Sequence, residues 1–109
     1  MFFTFNFIHP KPVVVLSYKT IKAFADFHQD AEEALNTWYT IADEAGWANF
    51  NQMREVFPSA DAVGDDLYVF NIRGGNYRLI ARIIFRVRTI YIRFIGTHKE
   101  YDKVKLSNL

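Results

Sequence analysis

The sequence predicts an α+β domain in which an N-terminal strand and a helical hairpin pack on one face of an antiparallel C-terminal β-meander. Three observations carry that expectation. The β-branched run Val13-Val14-Val15-Leu16 precedes two segments of helical hydrophobic period, and the period becomes strand-like after residue 66. Arg73-Gly74-Gly75-Asn76 then separates two strand-like runs with turn chemistry. A chain of 109 residues, 50% hydrophobic and 17% aromatic, suits one packed domain.

Taken in order, Val13 to Leu16 reads as a strand, and Ser17 is a residue type suited to cap a following helix. Ile21, Phe24 and Ala25 recur at helical spacing over residues 19–28. A second helix begins at Asp30, with Glu33 three residues on as a capping box, and carries a stripe of Ala31, Ala34, Leu35, Trp38, Ile41, Ala42 and Ala45. Gly46 closes it. A short third helix runs from Phe50 through Met53 to Phe57 and is stopped by Pro58. After a polar loop over residues 59–66, strands are expected over 67–72, 77–85 and 89–96, the last two joined by Arg86-Val87-Arg88. A polar tail with room for one helical turn follows. Trp38 lies on the apolar stripe and belongs to the core.

Composition excludes several classes. With no cysteine there are no disulfides or thiolate metal sites, and three scattered histidines make no zinc constellation. Residues 1–12 are rich in phenylalanine but lack a basic region and a cleavage site, and Pro10 and Pro12 interrupt them, so a signal peptide is not expected. No apolar run reaches the roughly 18 residues of a membrane span. The expectation is a soluble, cytoplasmic protein with no membrane partner, no metal and no cofactor. Residues 1–70 hold four Lys/Arg against ten Asp/Glu, whereas residues 71–109 hold nine against two. Such segregation points to a polyanion-facing segment on an acidic body, or else to basic residues spread over solvated faces.

Alternation along residues 77–85 puts Arg78 and Arg82 on one side and Tyr77, Leu79, Ala81, Ile83 and Phe85 on the other. If the apolar side rests on the helices, the arginines stand on the open side of the sheet, where their planar forks suit phosphate. Arg93, grouped by alternation with Tyr91 and Ile95, is either a functional cation at a cleft or a structural one paired with a carboxylate. Past the last strand comes Gly96-Thr97-His98-Lys99-Glu100-Tyr101-Asp102-Lys103, dense in groups that move or stabilise protons. Histidine, with an ordinary pKa near about 6.5, serves as general acid or base, and loops at strand ends are where a rigid sheet presents such groups. Arg73-Gly74-Gly75-Asn76 is not a P-loop, because it joins two strands and lacks the Gly-Lys-Ser/Thr ending.

Phe70-Asn71-Ile72, Gly75-Asn76-Tyr77-Arg78-Leu79-Ile80 and the run from Tyr91 through Gly96-Thr97-His98-Lys99-Glu100-Tyr101-Asp102-Lys103 together resemble the HigB family of toxins within the RelE superfamily. Asp30-Ala31-Glu32-Glu33-Ala34-Leu35, Trp38-Tyr39 and Phe57-Pro58-Ser59-Ala60-Asp61 extend the resemblance to about residues 13–105. It implies a RelE-like toxin domain over residues 13–109, with residues 1–12 an extension outside it. It also implies a metal-independent endoribonuclease that cleaves mRNA on the ribosome, inhibits translation and is neutralised by a HigA-like helix-turn-helix antitoxin. Carried over by position, Arg78 matches the phosphate-binding arginine of the central strand. His98 falls where RelE has another arginine, and Tyr101 stands for a tyrosine that RelE places slightly later. Catalysis is thus expected from His98, Tyr101 and Arg78, and RNA binding from Arg73, Arg82, Arg93 and Lys99. RelE has basic residues on the strand before its Tyr-Arg pair, where this sequence has Val69 and Asn71, so the general base stays unassigned. The alternative on the same fold is a non-catalytic toxin of the gyrase-inhibiting ParE branch. The His-Lys-Glu-Tyr-Asp cluster favours the enzyme, because a docking surface has no need of a histidine beside a tyrosine.

Overall fold

The computed structural model describes residues 14–16 and 18–109, with side chains from Tyr18 onward. The expectations for residues 1–12 and for Ser17 as a cap lie outside the described residues. β1 (Val14–Leu16) leads to α1 (Tyr18–Phe27), a 3-10 turn (Gln29–Ala31), α2 (Glu32–Glu44) and α3 (Phe50–Val56). Then come β2 (Asp61–Ala62), β3 (Leu67–Ile72), β4 (Tyr77–Ile84), β5 (Thr89–Thr97) and the one-turn α4 (His98–Tyr101). The strands form one five-stranded sheet in the order β1-β5-β4-β3-β2. β1 runs parallel to β5, and the other neighbours are antiparallel.

The predicted α+β architecture holds because the helical stripes and the alternating strand faces meet in one core. Ile21 of α1, Leu35 and Trp38 of α2 and Met53 of α3 pack with Phe70, Leu79, Ile83 and Ile90 of the sheet, each at most 2% exposed. At about 1.5–3 kcal/mol per buried large side chain, this layer anchors β4, the strand that carries Arg78. Trp38 is part of it, as its stripe predicts.

Four local expectations are corrected. Asp30 does not cap α2: the helix starts at Glu32 behind the 3-10 turn, its N-cap Ala31 makes no side-chain bond, and the Asp30 carboxylate is engaged by Tyr77 of β4 instead. Glu32 and Glu33 in the first turn complement the helix dipole. The helix ends before Gly46, where Ala45 turns extended (φ −75°, ψ 153°). The polar loop over residues 59–66 contains β2, whose Asp61 and Ala62 pair with Val69 and Tyr68 and cover part of the β3 edge.

The fourth correction concerns the face opposite the helices, which is not an open basic surface throughout. Leu67 and Val69 of β3 and Ile80 of β4 are buried there beneath Val63, Phe94, Tyr101, Val104, Leu106 and Leu109. The C-terminal segment crosses this face because the strands are apolar on both sides at its centre. In β5 a bulge shifts the register: Ile80 pairs with Phe94 but Ala81 with Ile92, so Arg93 is the extra residue. Ile92 and Ile95 consequently both pack with the helix-side core and Phe94 with the second, which separates Ile95 from the face assigned to it by simple alternation.

Candidate active site

The β3–β4 turn organises one end of the sheet. Arg73, Gly74 and Gly75 all have positive φ (53°, 65° and 93°), and the amides of Gly75 and Asn76 close the turn onto Ile72 and Arg73. For Arg73 the left-handed region is disfavoured by about 1–2 kcal/mol, so something must hold it there. Its guanidinium is 3.6 Å from Asp30 Oδ2, and the Tyr77 hydroxyl donates to Oδ1 of the same carboxylate at 2.5 Å. The hydrogen bond to Asp30, then burial and the Asp30 charge, raise the Tyr77 hydroxyl above the ordinary phenol value, with Arg73 opposing. Tyr77 therefore remains a donor at neutral pH. The stability that this shift contributes is complete below the ordinary phenol pKa of about 10 and is lost as pH rises through the raised value.

On the other face Arg78 stands between Asn71 of β3 and Gly96 of β5 in register. Its guanidinium donates to the Gly75 carbonyl and lies 5.5 Å from the centroid of the Tyr101 ring, a cation–π arrangement. Gly75 is required by its φ of 93°, and a Cβ there would also come within 3.2 Å of the same guanidinium, which would have to shift by a few tenths of an ångström.

β5 delivers the chain directly into α4. The Thr97 hydroxyl accepts from the Glu100 amide at 3.1 Å, and the Glu100 carboxylate accepts from the Thr97 amide at 2.8 Å, a reciprocal capping box. Thr97→Ala is expected to cost about 1 kcal/mol, read as a lower denaturation midpoint. The His98 amide donates to the Asn76 carbonyl at 3.1 Å, which ties α4 to the β3–β4 turn. His98 Nδ1 lies 3.3 Å from Asp102 Oδ2, and both side chains are more than half exposed. That pairing is made through Nδ1, so Nε2 is the ring nitrogen that Asp102 does not engage. Asp102 had no assigned role in the sequence reading; the His-x-x-x-Asp spacing across one helical turn is the signal that finds it.

The site residues expected from the sequence thus fall into two groups. Arg78, His98, Tyr101 and the exposed Lys99 gather where β4, β5 and α4 meet. Arg73 is turned toward Asp30 on the helix side. Arg82 pairs with Asp65 at 2.8 Å and donates to the Leu109 backbone oxygen at 3.1 Å, an oxygen that Arg93 also reaches at 3.1 Å. Arg82 is therefore a tether for the C-terminal segment, and Arg93 assists it. Among the described residues no cluster of three or more His, Cys, Asp or Glu side chains could hold a metal ion, and no helix is long and apolar enough to cross a membrane.

The family described as "HigB_toxin, RelE-like toxic component of a toxin-antitoxin system" matches residues 31–104, a span that contains α2, α3, the strands β2 to β5 and α4. The chain belongs to the HigB toxin family. The mRNA interferase toxin HigB of Escherichia coli strain K12 is 34% identical over 91 residues, covering 81% of this chain and 86% of that protein. The mRNA interferase HigB of Shigella flexneri gives the same figures, and that of Escherichia coli O6:H1 is 33% identical over 73 residues, 65% of this chain and 71% of its own length. Membership of a toxin–antitoxin family makes an antitoxin the natural partner of this chain.

Proposed function

We propose that this HigB-family toxin is an endoribonuclease that cleaves mRNA and so stops translation. The observation that carries the proposal is the stacking of Arg78 on Tyr101 at the end of the sheet where α4 also carries His98, whose amide is tied to the β3–β4 turn and whose imidazole pairs with Asp102. Cleavage of RNA by its own 2′-hydroxyl needs three things: a group to take the 2′ proton, a group to return one to the leaving 5′-oxygen, and cations on the phosphorane. His98 and Tyr101 are the proton-transferring pair, and Arg78 binds the scissile phosphate through its fork. The P–O bond to the 2′-oxygen forms as the bond to the 5′-oxygen breaks, so no redox partner is involved. Lys99 on α4 and Arg93 on β5 add positive potential. Arg73 and Arg82, each already engaged with a carboxylate, contribute to RNA binding through the field. The relatives' names, mRNA interferase, accord with this reading.

The finer reading places the reaction on mRNA in the ribosome, in the cytoplasm, under control of a HigA-like helix-turn-helix antitoxin. The purified chain is expected to cleave RNA, and Arg78→Ala to weaken RNA binding about tenfold, the scale of one charge-assisted hydrogen bond. Arg86→Ala, at the exposed β4–β5 connection, is expected to stay within twofold. Titrations at fixed salt decide between a site and a diffuse field: equal impairment of the two variants favours the field. Failure of the wild-type chain to cleave either free RNA or ribosome-bound mRNA overturns the enzyme reading.

A further inference from the structure

The β3–β4 turn is held from both faces of the sheet. On the catalytic side its carbonyls are used twice: Gly75 accepts from the Arg78 guanidinium, and Asn76 accepts from the His98 amide. On the helix side the residues that bracket the turn, Arg73 and Tyr77, both engage one carboxylate, Asp30, in the 3-10 turn between α1 and α2. The Tyr77 ring is itself wedged edge-on against Phe24 and His28, at 5.6 Å from each, and His28 stacks on Phe24 at 4.2 Å. Tyr77 is paired in register with Thr97, the cap of α4. One carboxylate of the acidic half therefore connects the helical layer, through the β3–β4 turn, to Arg78 and His98.

We propose that Asp30 is a positioning residue for RNA cleavage: by holding Arg73 and Tyr77 it sets the turn carbonyls that aim Arg78 and seat His98. Asp30 touches no substrate. Its carboxylate does what a helix cap would not, because both of its oxygens are directed at the far side of the turn rather than at the amides of α2. The geometry also gives Arg73 a role in holding the turn beyond its charge. Removing Asp30 leaves Arg73 free to relax from φ 53° and lets the Gly75 and Asn76 carbonyls rotate.

This inference rests on the ribonuclease reading above, and the experiment separates the two. Single-turnover cleavage and RNA affinity are measured for the full chain, Asp30→Ala, Asp30→Asn and Tyr77→Phe, with hydrogen exchange at the His98 amide followed in each. Asp30→Ala is expected to slow cleavage about tenfold to a hundredfold, the range for a small misplacement of reacting groups, with RNA affinity within twofold of wild type. Exchange at the His98 amide should rise, because its acceptor is the Asn76 carbonyl. Tyr77→Phe keeps the packed ring and removes only the hydroxyl; it should show the same pattern more weakly, as should Asp30→Asn, which can still accept from Tyr77. In an Arg78→Ala background the effect of Asp30→Ala on rate should shrink, since part of what Asp30 positions is gone. A lower melting temperature with unchanged rate and unchanged His98 exchange overturns the proposal, and so does an equal effect of Asp30→Ala with and without Arg78. If the wild-type chain does not cleave RNA, the ribonuclease reading fails, while the His98 exchange still reports whether Asp30 seats α4.

Discussion

Changing His98 to alanine is expected to slow RNA cleavage about a hundredfold or more, the range for losing a general acid or base, while leaving a folded protein. The two halves of that expectation come from different atoms. The imidazole is 55% exposed and its one described partner is Asp102, so removing it uncovers no buried polar group and should change stability by about 0.5 kcal/mol or less. The part of His98 that holds the structure is its amide, which bonds the Asn76 carbonyl, and alanine keeps that amide. Asp102→Asn should fall between wild type and His98→Ala, because the imidazole remains but loses the carboxylate that pairs with its Nδ1. In cells the same variants order themselves by growth: wild type arrests it, Asp102→Asn partly, His98→Ala not at all. Toxicity of His98→Ala equal to wild type at matched abundance would remove the imidazole from the mechanism and leave Tyr101 and Arg78 to carry it.

Much of this arrangement can be read from the sequence, and the parts that cannot share a physical cause. The switch of hydrophobic period after residue 66, the Arg73-Gly74-Gly75-Asn76 turn and the polar run after Gly96 are local signals, and each marks a real boundary. They place Arg78 on a central strand and His98 with Tyr101 just past the last one. What they miss is set by contacts between distant segments. Leu67, Val69 and Ile80 are buried under Val104, Leu106 and Leu109, a match that strand alternation cannot reveal because it assigns a face and not what covers it. The bulge at Arg93 moves Ile95 to the other side of β5, and nothing local to that strand announces it. Asp30 is the sharpest case. Asp-x-x-Glu ahead of an apolar stripe is a proper capping pattern, yet its carboxylate is taken by Tyr77, 47 residues away, and the working capping box is Thr97 with Glu100, at the start of the one helical turn expected in the polar tail. A tertiary bond to a buried phenol outcompeted a local one.

Gly96→Ala is expected to lower stability by about 1–3 kcal/mol, the usual range for overpacking, and to impair cleavage at least tenfold. Backbone strain is not the reason, since Gly96 is absent from the residues with positive φ and alanine can adopt its conformation. The reason is space. A Cβ there would stand 2.5 Å and 3.0 Å from two carbons of the Phe94 ring and 2.8 Å from the Glu100 carboxylate. Phe94 packs against the second core with Leu67, Val69 and Ile80, so its ring has little room to retreat. The Glu100 carboxylate is the far end of a flexible chain, but it is bonded to the Thr97 amide at 2.8 Å, and moving it opens the capping box that starts α4. Either way the displacement is passed to His98 and Tyr101, which ride on that single turn, and to Arg78, which faces Gly96 in register. Gly46→Ala is the control: its Cβ would meet only the Arg88 guanidinium, at an ordinary 3.6 Å, and neither melting nor cleavage should change appreciably. Replacing Glu100 with alanine in the Gly96→Ala chain removes one of the two clashes but also half of the cap, so it should recover little. Wild-type melting and wild-type cleavage in Gly96→Ala would mean that α4 tolerates displacement, and that the placement of His98 and Tyr101 by this corner of the sheet is not what the reaction depends on.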